Sequence, residues 1–257
     1  MNMPRRQPRQ VLKQPQHGPA PQRDLPGMLR EIYQRLYRRY GPQGWWPGDG
    51  PLDVVIGAIL TQAAAWTNVE LAINNLKAAG CWSLDEMHRQ PQEKLAAIIR
   101  PSGYFNAKAR KLKAFARHIH ENYHGDLSAF LSQEMETLRG ELLSIHGIGP
   151  ETADDIVLYA AGKPSFVIDS YTQRIVQRIG LTGEGRGNGY CFCQDLFHDN
   201  LPRDPVMFNE YHALLDRHAK ETCAKVPRCS ECCLKELCAT GQTATGVKAA
   251  RLVEREK

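Results

Sequence analysis

Apolar residues recur along this chain at three- and four-residue intervals, the period of a helix that buries one face. Leu29, Ile32, Leu36 and Tyr40 define a first helix. Leu52, Val55, Ile56 and Ile59 define a second, opening at Pro51, where a missing N–H costs a helix nothing. Val69, Ala72, Ile73 and Leu76 define a third, with Gly80 placed for its C-terminal cap. Ser83 and Glu86 form a capping box ahead of a short helix. Pro91 opens the next, which Leu95, Ile98 and Ile99 line and Pro101 ends. Asn106 is placed to cap a longer helix holding Leu112, Phe115, Ala116 and Ile119. The same pattern predicts helices at about residues 134–145, 150–161, 170–179, 190–200 and 206–221. No alternating strand, βαβ unit or short repeat interrupts the series, so the expected fold class is all-α.

The ends break the pattern. Residues 1–27 are rich in Pro, Gln and Arg with no apolar face, the composition of a disordered basic tail. Residues 239–257 read as a second, weakly ordered tail. The chain as a whole, 257 residues at 42% hydrophobic and 24% charged, allows one large domain or two closely packed ones. The longest apolar stretch, around Val54 to Leu60, is too short to span a bilayer, and no secretory signal opens the chain. The expected location is the cytoplasm, at the nucleoid of a bacterial-type cell. A formal charge of +5 is compatible with a polyanion partner but selects none.

Residues 142–154, Leu-Leu-Ser-Ile-His-Gly-Ile-Gly-Pro-Glu-Thr-Ala-Asp, change the picture. A helix ends at Ile145, glycines flank Ile148, and Pro150 restarts a helix at its favoured first position. Gly147 and Gly149 permit a tight turn and a close approach to another surface, while Ile148 plugs the turn into the core. His146 through Thr152, with Glu151 among them, then offer N–H groups at a helix N-terminus to a phosphate oxygen. Contacts of that kind hold a DNA backbone without reading its sequence. Taken by spacing alone, Asp169 is a helix cap ahead of Ser170.

Together with residues 162–171, Gly-Lys-Pro-Ser-Phe-Val-Ile-Asp-Ser-Tyr, this segment resembles the helix–hairpin–helix, Gly/Pro-rich loop and aspartate of the endonuclease III superfamily of DNA glycosylases. The resemblance runs from about Trp45 to Cys238. It implies a two-domain fold: a six-helix barrel over about 48–162, packed on a cluster-bearing domain built from 28–47 and 163–238. It also implies that Asp169 is the catalytic carboxylate, which stabilises positive charge on the sugar or orients the attacking water. Superfamily members that nick the strand place a lysine where this chain has Glu151, and a carboxylate cannot form the imine.

Trp45-Trp46-Pro47, Leu60-Thr61-Gln62, Trp66, residues 100–106 with Lys108, and residues 217–220 resemble the 3-methyladenine branch. That resemblance implies that Trp45 or Trp46, with Trp66, sandwiches an extruded base, that Gln62 fills the gap left in the duplex, and that Lys220 lies in the pocket. Trp82 reads as core packing. An alkylated purine carries positive charge, and a cation over an indole face gains roughly 0.5–2 kcal/mol. Extruding the nucleotide costs a few kcal/mol that the pocket must recover.

Five of the eight cysteines crowd into residues 223–238. Cys223-x5-Cys229-x2-Cys232-x5-Cys238, with Cys233 spare, can hold zinc or a [4Fe–4S] cluster. The superfamily resemblance implies the cluster, although its usual first spacing is one residue longer. Lys225 and Arg228 lie in the intervening loop and are placed to meet phosphates, while Cys81, Cys191 and Cys193 have no partner pattern. Three functions remain open on sequence. The first is a monofunctional glycosylase for alkylated bases in double-stranded DNA, acting as a monomer. The second is a glycosylase or glycosylase/lyase for oxidised pyrimidines or mismatched bases. The third is a non-catalytic DNA-binding module.

Overall fold

Where apolar period and capping residues coincide, the chain forms helices close to the expected positions. The computed structural model describes residues 24–182 and 189–244. Its α-helices are α1 (Leu25–Tyr40), α2 (Pro51–Thr61), α3 (Trp66–Ala78), α4 (Leu84–Arg89), α5 (Gln92–Ile98) and α6 (Phe105–Tyr123). They continue as α7 (Leu127–Leu131), α8 (Met135–Ser144), α9 (Pro150–Asp155), α10 (Ser170–Ile179), α11 (Tyr190–His198) and α12 (Pro205–Glu221). No strand occurs among the described residues, so the fold class is all-α as expected.

Buried residues gather into two clusters. In the first, α2 is the central post: Asp53 through Leu60 are all buried, with α3, α6 and α9 packed around them. Asp53 keeps its charge partnered there, accepting from Lys77 Nζ at 3.1 Å. The second cluster joins Leu29, Ile32 and Leu36 of α1 to α10, α11, α12 and the buried run Phe166-Val167-Ile168. The two meet just beyond α9, in the turn Ile156–Ala160, where Val157 belongs to the first and Leu158 to the second.

Asp154, fully buried beside that seam, ties it together. It accepts from Arg139 Nε and Nη2 at 2.7 and 2.9 Å, Ser165 Oγ at 2.5 Å, Tyr190 OH at 2.7 Å and Gln194 Nε2 at 2.9 Å. An unpartnered carboxylate in such a place would cost several kcal/mol. Five donors from α8, α11 and the 163–168 loop therefore lock α9 to the segment that carries Asp169.

Several boundaries differ from the sequence reading. α1 begins at Leu25, capped by Asp24 accepting from Gly27 N–H at 2.9 Å, so residues 25–27 are helix rather than tail. Residues 239–244 are also helical, while 1–23 and 245–257 lie outside the described residues. Asn106 does not cap α6. Gly103 and Tyr104 both take positive φ (67° and 43°), turning the chain straight from a short 3-10 turn, Arg100–Ser102, into the helix. Pro101 lies inside that turn. α7 was unpredicted: its five residues are too few to show a period, although Asp126 caps it by accepting from Ala129 N–H at 2.9 Å. Beyond Asp155 the expected long helix widens into one π turn, Ile156–Ala160.

Candidate active site

Two helices present matching rows of chemistry-bearing side chains. Glu151 and Asp155 stand one turn apart on α9, and Tyr159 follows a turn later in the π segment. On α12, His212, Asp216 and Lys220 repeat the same four-residue spacing. Glu151, Asp155, His212, Asp216 and Lys220 line one cleft of about 420 Å³, within the size range of small-ligand sites. Asp169, Ser170 and Tyr171 close it from the N-terminus of α10.

The remaining wall is aromatic. Trp45, Trp46 and Trp66 all line the cleft, with ring centroids 5.4 Å apart for Trp45–Trp46, 5.5 Å for Trp46–Trp66 and 6.1 Å for Trp45–Trp66. Trp46 is seated against Gly57, where any Cβ would come within 2.9 Å of its ring. The indole Nε1 atoms of Trp45 and Trp46 are buried without a hydrogen-bond partner in the protein.

Asp169 caps α10, its Oδ1 accepting from Thr172 N–H at 2.6 Å, and still faces the cleft. Its carboxylate is 4.0 Å from His212 Nε2. Burial, then the charge of Asp169, pushes the Glu151 carboxyl up to about 7. Asp155 is pushed well above the usual carboxylate range, mostly by burial and then by Glu151 and Asp169. Both open onto cleft surface yet are walled by protein, so they are accessible and poorly solvated together. Burial also lowers His212, leaving a neutral imidazole at neutral pH. Lys220 Nζ is paired with Asp216 Oδ2 at 2.7 Å and lies 5.9 Å from the Tyr171 ring centroid. Asp155, Tyr159, His212 and Asp216 were not singled out in the sequence. Stepping by four from Glu151 and from Lys220 would have found them.

The hairpin borders a second cleft, with Gln62, Lys111, Gly147, Ile148, Gly149, Glu151, Thr152 and Tyr190 among its lining. Ile148 is buried as a plug. Of the two glycines only Gly147 needs its freedom: its φ is +86°, and a Cβ there would meet Lys111 Cγ at 2.4 Å, whereas Gly149 has φ −96°. Gln62 is in this cleft rather than the first. Its Nε2 donates to Thr152 Oγ1 at 2.8 Å and Gly147 O at 3.4 Å, and its Oε1 accepts from Lys111 Nζ. His146 is exposed and lines neither cleft. Glu151 borders both, as does Ala63. Trp82 lies outside both clefts, with Lys77 Nζ 4.7 Å from its ring centroid.

Cys223, Cys229, Cys232 and Cys238 line a third, small pocket. N–H groups point at three of the sulfurs: Arg178 Nη1 to Cys223 at 3.3 Å, Leu234 N to Cys232 at 3.4 Å, and Gly241 N to Cys238 at 3.4 Å. Donors so placed stabilise thiolate ligands. Arg178 also bonds the carbonyls of Cys223, Ala224 and Lys225 at 3.1, 2.7 and 2.9 Å, pinning the loop. Among the described residues no three His, Cys, Asp or Glu side chains converge on a single metal position. Cys233 faces Arg35, Arg38 and Arg39 instead. Lys225 and Arg228 are exposed, Cys81 and Cys193 buried, Cys191 exposed.

Residues 56–188 match the HhH-GPD superfamily of base excision DNA repair proteins. A Methanocaldococcus jannaschii protein, MJ1434, described provisionally as a DNA repair glycosylase, is 43% identical over 213 residues, covering 82% of this chain and 96% of that one. The thymine/uracil-DNA glycosylase of Pyrobaculum aerophilum is 25% identical over 222 residues, covering 79% and 87%. Among solved structures, a trapped endonuclease III–DNA covalent intermediate superposes with a TM-score of 0.73 at 19% identity, over 86% of this chain and 98% of that one. The 3-methyladenine DNA glycosylase of H. pylori bound to 1,N6-ethenoadenine gives 0.65 at 24% identity, over 77% and 98%. At those identities the two structures speak for the fold alone.

Proposed function

This chain belongs to the HhH-GPD superfamily of base excision DNA repair proteins, and from that premise we propose that it is a DNA glycosylase that hydrolyses the N-glycosidic bond of alkylated, cationic bases without a lyase step. The observation that carries this reading is the meeting of three indoles with Glu151, Asp155, Asp169 and Asp216 in one cleft. Indole faces attract a cation, and so does an ionised carboxylate: Asp169 at the cleft, and Glu151 once the pH passes about 7. The hairpin holds the backbone of double-stranded DNA through Gly147–Thr152, and the damaged nucleotide is extruded into the tryptophan cleft.

Bond cleavage develops positive charge on the sugar, which the Asp169 carboxylate stabilises while taking a proton from the incoming water. A cationic base leaves as a neutral molecule, so no acid is needed on its side. Glu151 stands at the end of the cleft where an imine-forming amine would be required for strand nicking. Lys220, the amine in the cleft, is held in its ion pair with Asp216.

The reading extends to the second domain of the expected division, 28–47 with 163–238, as the carrier of a [4Fe–4S] cluster on Cys223, Cys229, Cys232 and Cys238. The donor set fits: four thiols share one pocket and N–H groups address three of them, as thiolate ligands of a cluster require. The cluster would supply a structural staple for the 223–238 loop. No helix among the described residues is long and apolar enough to cross a membrane.

A second reading, release of mismatched or oxidised pyrimidines, is favoured by the names of relatives such as the thymine/uracil-DNA glycosylase of Pyrobaculum aerophilum. One assay separates the two. Duplexes carrying N-methylated purines, oxidised pyrimidines or G·T mismatches are incubated with the enzyme, and base release is scored with and without alkali and borohydride. Release of methylated purines alone, nicking only after alkali and no trapped adduct is the expected outcome. Asp169→Asn is expected to abolish release while sparing duplex binding; full activity in that variant rejects the reading.

A further inference from the structure

His212 is 7% exposed, and its Nε2 has no hydrogen-bond partner in the protein although it lies 4.0 Å from Asp169 Oδ1. Its other nitrogen, Nδ1, is 2.5 Å from the Tyr159 hydroxyl. Tyr159 keeps its proton, since burial and the carboxylates around it raise its pKa well above the ordinary value. A neutral imidazole has one donor nitrogen and one acceptor, and the partner of one decides the role of the other. With Tyr159 donating to Nδ1, the ring proton is on Nε2 and points toward Asp169. The carboxylate at 4.0 Å favours that tautomer, because an N–H facing an anion is attracted and a lone pair is repelled.

A 4.0 Å gap is too long for a direct hydrogen bond and equals the span of one bridging water at about 2.8–2.9 Å from each atom. We propose that His212 positions the attacking water, its Nε2–H donating to a water whose own O–H is directed at Asp169, with Tyr159 fixing the tautomer that allows this. This rests on the reading of Asp169 as the reacting carboxylate. The water oxygen forms the new bond to the anomeric carbon, and the electron pair of the breaking C–N bond leaves with the base. The water proton passes to Asp169 and then to solvent. As the water loses that proton its oxygen gains negative charge, which the Nε2–H stabilises.

Single-turnover release of N-methylated purines from duplex DNA, measured with lesion-duplex affinity and melting temperature, tests the proposal. His212→Phe is expected to slow release on the order of 10²-fold, the usual loss for one preorganised donor, with affinity unchanged. His212→Gln, whose side-chain N–H reaches about as far as Nε2, is expected to recover most of the loss. Tyr159→Phe, which leaves the ring in place but frees its tautomer, should fall between them and carries the test if the Phe variant does not fold. Wild-type release in His212→Phe overturns the proposal. So does equal loss in the Phe and Gln variants with a matching fall in melting temperature, the mark of a packing role. The control is Asp169→Asn: persistent release there removes the underlying reading, whereas loss there with intact release in His212→Phe removes the His212 role alone.

Discussion

The two clefts that meet at Glu151 are built from opposite materials. The hairpin cleft centres on the contiguous segment 147–152, with its two glycines and proline, joined by Gln62, Ala63, Lys111 and Tyr190. The tryptophan cleft is made of indoles, carboxylates and a neutral histidine drawn from 45–46, 61–66, α9, α10 and α12. Backbone N–H groups suit a phosphate, which every nucleotide offers, while faces and charges suit a particular base. The separation implies that grip and choice can be damaged independently. Only residues shared by both clefts, or holding them in register, should affect both.

Asp154 is the severest test of that division, because it ties the hairpin helix to the loop leading into Asp169. Asp154→Ala leaves Arg139 without its buried partner and is expected to cost about 3–5 kcal/mol of stability. Denaturant melts would show this, and both duplex affinity and base release should fall together. Loss of release alone would mean that the two clefts are not coupled through this carboxylate.

Trp45→Ala comes next and should separate choice from grip. Loss of one stacking face costs about 1–3 kcal/mol per base. Affinity for lesion-bearing duplex is expected to drop by that amount, while affinity for undamaged duplex of the same length stays unchanged. An equal drop for both would place Trp45 in the hairpin's role.

Gly147→Ala is the converse. An L residue at φ +86° carries about 1–2 kcal/mol of strain, and the new methyl must displace Lys111 as well. Damaged and undamaged duplexes should lose affinity alike, with the rate of base release from the bound complex unchanged. A change in that rate would show that the hairpin acts on the chemistry.

The same contrast explains what was legible in the sequence. The hairpin could be read because its signals are neighbours: glycine, an apolar plug and a proline at the first helical position within a few residues. Asp169 could be read because it precedes a helix it caps, and Cys223, Cys229, Cys232 and Cys238 by their spacing. Asp155, His212 and Asp216 were silent because a carboxylate or imidazole on a helix reads as a solvated face until the opposite helix is known. The placement of Gln62 beside the hairpin was equally hidden: it depends on α2 ending against Thr152, a contact 90 residues apart in the chain. α6 began before its expected Asn106 cap because Gly103 and Tyr104 supplied the turn through backbone conformation alone.

The smallest expected effect belongs to Glu151, which borders both clefts, and it is a matter of pH. Burial and the nearby Asp169 charge hold its pKa at about 7, above the ordinary 4.5. Below that value the carboxyl is neutral, and above it the cleft gains one negative charge. Affinity for a cationic base should therefore rise as pH increases through about 7, whereas affinity for a neutral mismatched thymine should not. Stability has the opposite sign. A folded state that holds a proton the unfolded chain has released loses stability as pH rises from about 4.5 to about 7. Glu151→Gln keeps the shape but cannot ionise, so both trends should flatten, and release of N-methylated purines should become less dependent on pH in that window. If the pH profile of the Gln variant matches the wild type, the charge that draws the base in comes from Asp169 and Asp216, and Glu151 acts only by not being an amine.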